Sequence, residues 1–155
     1  MRGLRQAALA LLAATTLTAT VAAASDEADV MKVVNDYNTA LNRGDQKAAA
    51  ADSARELAIT DEFAPYSWQG PGASAGWFAD YAKWTKNNGV RNDTVALAAP
   101  WHVVVDGDRA YAVVPATFTY TKRGAKVVEA GSVWTFALRR TAGQWLIVSW
   151  AWAQH

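Results

Sequence analysis

The sequence predicts an α+β fold in which three N-terminal helices pack on an antiparallel sheet. Apolar residues recur with helical spacing only before Gly89, and alternating strands separated by glycine-containing turns follow it. Helices that precede a long sheet are expected to cover one of its faces. The length of 155 residues fits one domain, and 52% hydrophobic with 19% charged residues supports a packed core.

Residues 1–24 have the composition of a secretory signal peptide, which leaves residues 25–155 as the mature domain. Two arginines precede an apolar run over residues 7–12, and small residues fill positions 19–24. Cleavage after Ala24 fits this pattern, and cleavage one residue earlier fits nearly as well. A membrane anchor is the alternative, but threonines interrupt the run before the roughly 20 apolar residues that a span needs. We expect a protein of bacterial type, exported to the periplasm or secreted, and free of the membrane after cleavage.

Spacing, capping residues and stop residues predict the helices. They are residues 26–43, residues 46–51, and a third helix that carries Trp77, Tyr81 and Trp84 at i, i+4 and i+7 and ends at Asn88. Gly44 ends the first helix, and Asp45 caps the second. Residues 56–63 are more typical of a strand.

Four further strands are predicted after Gly89, over residues 93–105, 109–121, 126–140 and 144–154. Each connection contains a glycine, which tight reversals favour. The pattern is that of an antiparallel meander.

Composition excludes several classes of function. The chain has 15 Lys and Arg against 14 Asp and Glu without a block of like charge, so nothing indicates nucleic-acid binding. There is no cysteine, which excludes disulfides and thiolate chemistry. No metal-ligand spacing or serine-hydrolase motif occurs, and the glycine-rich residues 70–76 lack the Lys-Ser/Thr of a phosphate loop. They are interpreted as a cap for the third helix.

Three stretches carry a resemblance to a known family. They are YNTALNRGD at residues 37–45, ITDEF to WQGP across residues 59–71, and GQWLI at residues 143–147. Their order along the predicted elements resembles the nuclear transport factor 2-like superfamily, with its SnoaL-like and ketosteroid-isomerase-like members. The resemblance implies a curved sheet around a cone-shaped pocket and a homodimer through the outer sheet face. It implies no cofactor.

Asp61 and His102 are the candidate catalytic residues. A carboxylate beside Phe63 could have a raised pKa and act as a general base, and since neighbouring strand residues face opposite sides, only one of Asp61 and Glu62 should face the pocket. His102 is expected in a strand, where it could pair with Asp61 as a proton carrier. The alternatives are a turn aspartate and a structural or exposed histidine.

Eight tryptophans and five tyrosines follow the signal segment. Such rings more often form a core or an interface than a ligand cage. On the resemblance, the residues expected at the open end of the cone are Phe63, Tyr66, Trp68, Trp77, Tyr81, Trp84, Tyr120 and Trp134.

Three functions follow from these observations and the resemblance. The first is an exported domain that binds a small apolar or aromatic ligand. The second is an enzyme that moves a proton next to a carbonyl, with Asp61 as base and His102 or Tyr66 as acid or oxyanion donor. The third is a dimerising interaction module. Fold alone does not decide among them.

Overall fold

The computed structural model describes residues 26–154, and the predicted signal peptide lies outside the described residues. Helix α1 is helical over residues 26–42. Val30, Val34 and Tyr37 lie on one side of it and are fully buried. The predicted amphipathic stripe is therefore the face that packs on the sheet.

Two further helices flank a short hairpin. Helix α2 is Gln46–Ala51, β1 is Ser53–Thr60, β2 is Ser67–Gly70 and α3 is Ala73–Asn88. Asp45 caps α2 by accepting from the N–H of Ala48 at 3.0 Å. Gly89 ends α3 with a φ of 65°, which glycine adopts without the strain that a Cβ would cause.

The strand predicted at 56–63 begins and ends three residues earlier, as β1. Residues 61–66 instead form a tight connection, in which Tyr66 donates its N–H to the carbonyl of Phe63 at 2.8 Å and its own carbonyl accepts from Asp61. The returning strand β2 was not predicted, because Trp68 and its neighbours are too few to show alternation.

Five strands complete the sheet. They are β3 (Val90–Leu97), β4 (His102–Asp106), β5 (Arg109–Lys122), β6 (Ala125–Thr141) and β7 (Gln144–Ala153). The single strand predicted at 93–105 is therefore wrong, since it divides into β3 and β4. Pro100 has no N–H to give to a ladder, and the link is held to β5 by bonds from Ala98 and Trp101 to the carbonyls of Pro115 and Val113.

The sheet order is β2-β1-β7-β6-β5-β3, with β4 also paired to β5. All neighbours are antiparallel except β1 and β7, which run parallel. The predicted meander is present as β4, β5, β6 and β7, each paired antiparallel with the next, and the parallel pair of β1 and β7 makes the whole sheet mixed. Parallel neighbours need a long crossover, which the chain between β1 and β7 supplies.

The core lies between the helices and one face of this sheet, so the α+β prediction is confirmed. Alternate residues of β6, including Trp134, Phe136 and Leu138, are almost fully buried. Ladder shifts beside Asn92 and Gly131, both at positive φ, mark bulges that bend the strands around the helices. Within residues 26–154, no helix is long and apolar enough to cross a membrane.

Arg139 and Arg140 are neighbours near the end of β6, but their surroundings differ. Arg139 is exposed. Arg140 is half-buried, pairs with Asp26 and lies 4.5 Å from the ring centre of Trp145. Arg140 therefore joins the start of α1 to the C-terminal end of β6.

Candidate functional site

A cavity of about 490 Å³ opens between the helices and the inner face of the sheet. The end of α1, residues 61–63, one side of α3, the bulge of β3 and the inner residues of β5 to β7 surround it. Concave sites of this size with aromatic walls are typical of small-molecule binding.

One wall is a stack of aromatic rings on α3. Trp77 and Tyr81 lie 5.0 Å apart with 9° between their planes, and Tyr81 and Trp84 lie 5.8 Å apart with 21°. Phe63 contacts all three rings at centroid distances of 5.8 to 6.2 Å. The helical spacing read from the sequence thus produces a continuous aromatic surface.

A second wall is formed by Trp134 of β6 and Trp150 and Trp152 of β7, and it meets the first where Trp77 packs edge-on against Trp150 at 5.4 Å. Trp134 packs edge-on against both β7 rings, at 5.4 and 5.5 Å. Trp150 donates its indole N–H to the hydroxyl of buried Tyr37 at 2.9 Å. Burial raises the pKa of Tyr37 far above its ordinary value, so this hydroxyl stays neutral. The back of the cavity is therefore fixed by packing from α1.

Asp61 places a carboxylate in this aromatic cavity. Its Oδ2 accepts from the indole N–H of Trp77 at 2.8 Å, and its Oδ1 accepts from the backbone N–H of Glu62 at 2.8 Å. Burial raises the pKa of Asp61, although both hydrogen bonds favour the charged form and oppose that rise. A carboxyl group held in this way can accept a proton more readily than a solvated aspartate.

A second carboxylate, Asp93, accepts a hydrogen bond from the hydroxyl of Tyr81 at 2.6 Å. Burial, this bond and the charge of Asp93 raise the pKa of Tyr81. Asp93 lies in the bulge of β3, which Asn42 anchors by exchanging two hydrogen bonds with the backbone of Val95. Helix α1 therefore fixes where Asp93 stands.

Glu62 also lines the cavity. Burial, followed by the charges of Asp61 and Glu129, raises its pKa. The expectation that only one of the two neighbouring acids faces the pocket does not hold, because β1 ends at Thr60 and strand alternation no longer applies.

The structure brings some of the predicted site residues together. Asp61, Phe63, Trp77, Tyr81, Trp84 and Trp134 all line the cavity. The others lie elsewhere: Tyr66 is 59% exposed, Trp68 donates to Asp80 at 3.0 Å, Tyr120 donates to Glu129 at 2.7 Å, and His102 is exposed on β4. No pair of Asp61 with His102 is formed.

Most of the other lining residues were not predicted, and Asp93, Trp150 and Trp152 are the most important of them for the chemistry of the site. Trp150 and Trp152 are two residues apart, as side chains on one face of a strand are, but the sequence does not show which side of the sheet that face is on. Asp93 lay inside a short Asn-Asp-Thr pattern, and nothing local in the sequence shows that a bulge turns it towards α3.

Residues 22–151 match the SnoaL-like domain family. No curated protein matches the sequence significantly.

Solved structures show the same fold. An NTF2-like protein with a cystatin-like fold from Novosphingobium aromaticivorans has a TM-score of 0.71 and 19% identity, over 98% of this chain and 92% of that one. A hexachlorocyclohexane dehydrochlorinase from Novosphingobium barchaimii has a TM-score of 0.72 and 12% identity, over 84% and 87%. A ketosteroid isomerase-like protein from Erwinia carotovora atroseptica has 0.65 and 20%, over 82% and 94%. The match over residues 22–151 shows that the chain belongs to the SnoaL-like domain family, and the solved structures show that it has the NTF2-like, cystatin-like fold.

Proposed function

We propose that this protein binds a small, flat and largely apolar molecule in the cavity of its cone. The observation that carries the proposal is the cavity itself, about 490 Å³ between two aromatic walls. Buried rings supply contact area at little cost in conformational entropy, and Trp77, Tyr81 and Trp84 all line the cavity.

Titration with the neutral fluorophore N-phenyl-1-naphthylamine tests the proposal. Trp84→Leu removes one of the three stacked rings and should weaken binding by roughly tenfold, on the order of the contact energy of one aromatic ring. Trp101→Leu is the matched control, because Trp101 is 62% exposed and does not line the cavity. Absence of binding, or equal loss in both variants, would contradict the proposal.

Proton transfer at Asp61 is a second candidate, favoured by the raised pKa of a carboxyl group inside the cavity. The carboxylate would take a proton from carbon next to a carbonyl, and the electrons of that C–H bond would move to the oxygen to form an enolate. His102 and Tyr66 are not donors to that oxygen, since both lie outside the cavity. Exchange of such protons for deuterium, followed by NMR on cyclohexenone, should occur with the native protein and not with Asp61→Asn.

Export is part of the proposal and is supported by the composition of residues 1–24. Mass spectrometry of the protein made in a bacterial host should find a mature chain that begins at Ser25, or at Ala24 if cleavage falls one residue earlier. An intact Met1 in the cell pellet would contradict export.

We also propose a homodimer through the outer face of the sheet. Val104 and Tyr111 are cross-strand neighbours on β4 and β5, and they are 56% and 48% exposed. Apolar side chains gathered on one exposed surface favour association.

A further inference from the structure

We infer that the ligand is an organic cation: a flat apolar body that carries a positively charged nitrogen. The inference rests on the proposed function and narrows it, because it assigns the charge of the molecule that the cavity takes. It follows from three features of the cavity: its charge, its hydrogen-bonding groups and its ring faces.

The charged groups that line the cavity are mostly acidic. Asp61, Glu62 and Asp93 are opposed by Arg43 alone, which is exposed at the end of α1. Among residues 26–154, none of these three carboxylates has a lysine or arginine nitrogen within 4.0 Å. An anionic ligand would therefore meet repulsion here, whereas a cation would supply the missing counter-charge.

The hydrogen-bonding groups beside the aspartates also favour a cation. The indole N–H of Trp77 and the hydroxyl of Tyr81 are already donated to Asp61 and Asp93. The indole N–H of Trp134 has no partner within the described chain, but it is sealed from solvent and is not presented to a ligand. A carboxylate has about four lone-pair sites, so both aspartates still have acceptor capacity. The donors beside Asp61 and Asp93 are therefore already used, whereas both aspartates can still accept a hydrogen bond from a ligand.

The aromatic faces complete the site. A positive charge within about 6 Å of an indole or phenol ring is attracted by the electrons of its face, and most strongly when water is excluded. Trp77 donates its N–H to a carboxylate, which polarises the ring towards greater electron density. The aromatic rings and the three carboxylates line the same cavity, so a cation bound there would meet both kinds of group.

A matched set of probes tests the inference in calorimetric titrations of the native protein. Benzyltrimethylammonium carries the charge, neopentylbenzene has the same shape with carbon in place of nitrogen, and benzenesulfonate is an anion. The cation should bind at least tenfold more tightly than the neutral isostere, and the anion should bind most weakly.

Charge-removing variants identify the groups responsible. Asp61→Asn and Asp93→Asn keep the shape of each side chain and should each weaken cation binding about fivefold or more, with little effect on the isostere. Asp80→Asn is the control, because Asp80 also accepts from an indole N–H but lies outside the cavity. Circular dichroism melts confirm that each variant is folded.

Each result has one meaning. Preference for the cation that depends on Asp61 or Asp93 supports the inference. Equal binding of cation and isostere, or equal loss in Asp80→Asn, overturns the inference and leaves the proposed function standing. No binding of any probe, together with none of the neutral naphthylamine, overturns both.

Discussion

Two tryptophan and aspartate pairs in the same chain allow the effect of one hydrogen bond to be measured. Trp77 donates to Asp61 inside the cavity, and Trp68 donates to Asp80 near the surface. Burial raises the pKa of Asp61 against the effect of its bond, whereas Lys83 and then Trp68 lower the pKa of Asp80. Trp77→Phe should therefore raise the pKa of Asp61 further.

Carboxyl-carbon NMR titration of both variants checks this prediction. Trp68→Phe should raise the pKa of Asp80 and leave that of Asp61 in place. A shift of Asp61 in both variants would mean that the tryptophans act through general packing and not through their N–H groups.

The raised pKa of Asp61 also predicts how its charge affects stability. The folded state holds the proton more tightly than the unfolded chain, whose aspartates titrate near 3.8. Ionised Asp61 is therefore less favourable in the folded state, and its contribution to stability falls as pH rises from about 3.8 through the raised value.

Urea unfolding from pH 3.5 to 7.5 measures that contribution. Relative to Asp61→Asn, the native protein should lose free energy of unfolding as pH rises, and the difference should level off above the folded pKa. A difference that grows in favour of the native protein at neutral pH would contradict the burial of this carboxylate.

The sequence predicts Asp61 as a site residue but not Asp93, because the position of Asp61 depends on neighbouring residues and that of Asp93 depends on distant ones. Asp61 stands beside aromatic residues and a proline turn, so local composition already marks it. Asp93 reaches Tyr81 only because β3 bulges and Asn42 of α1 holds the bulge in place. The residue type suggests proton transfer at His102. The sequence does not show which side of the sheet His102 faces, because that depends on the register of its strand.

Arg140 shows how one residue can join two elements. It pairs with Asp26 of α1 and lies over Trp145 of β7, while its neighbour Arg139 is exposed. Arg140→Ala should lower the free energy of unfolding by about 1 to 2 kcal/mol, the sum expected for a partly exposed ion pair and a cation–π contact.

Arg139→Ala is the control and should change stability by less than about 0.5 kcal/mol, as surface substitutions usually do. The denaturant midpoints of both variants test this prediction. Equal effects would mean that β6 tolerates either arginine and that the contact with Trp145 adds nothing.

Elements with local determinants were predicted best. Helices α2 and α3 end at the residues predicted from their capping and stop residues. Helix α1 ends one residue before its predicted end. The division of 93–105 into β3 and β4 was missed, because Pro100 breaks a strand only where its missing N–H faces a partner. The parallel pairing of β1 with β7 joins segments about ninety residues apart, and no local pattern records it.

At the scale of the whole molecule, the exposed apolar residues on the outer face of the sheet support the proposed dimer. Tyr111→Arg places a charge on that face beside exposed Val104 and should shift the protein from dimer to monomer in sedimentation equilibrium. Tyr66→Arg is the control, because Tyr66 is similarly exposed, at 59%, but lies in the connection between β1 and β2 and not on the sheet face. A native protein that sediments as a monomer would contradict the proposal.

The place of β7 in the sheet has a consequence for the order of events during synthesis. It is the last strand to leave the ribosome, yet it lies between β1 and β6 and carries Trp150 and Trp152 into the cavity. Until it arrives, two long strand edges are open and the back wall does not exist, so a partial chain can neither close its sheet nor hold a ligand. Formation of the sheet depends on contacts between distant segments, which makes folding slow. A shortened product that ends before β7 should therefore be a ready substrate for proteases.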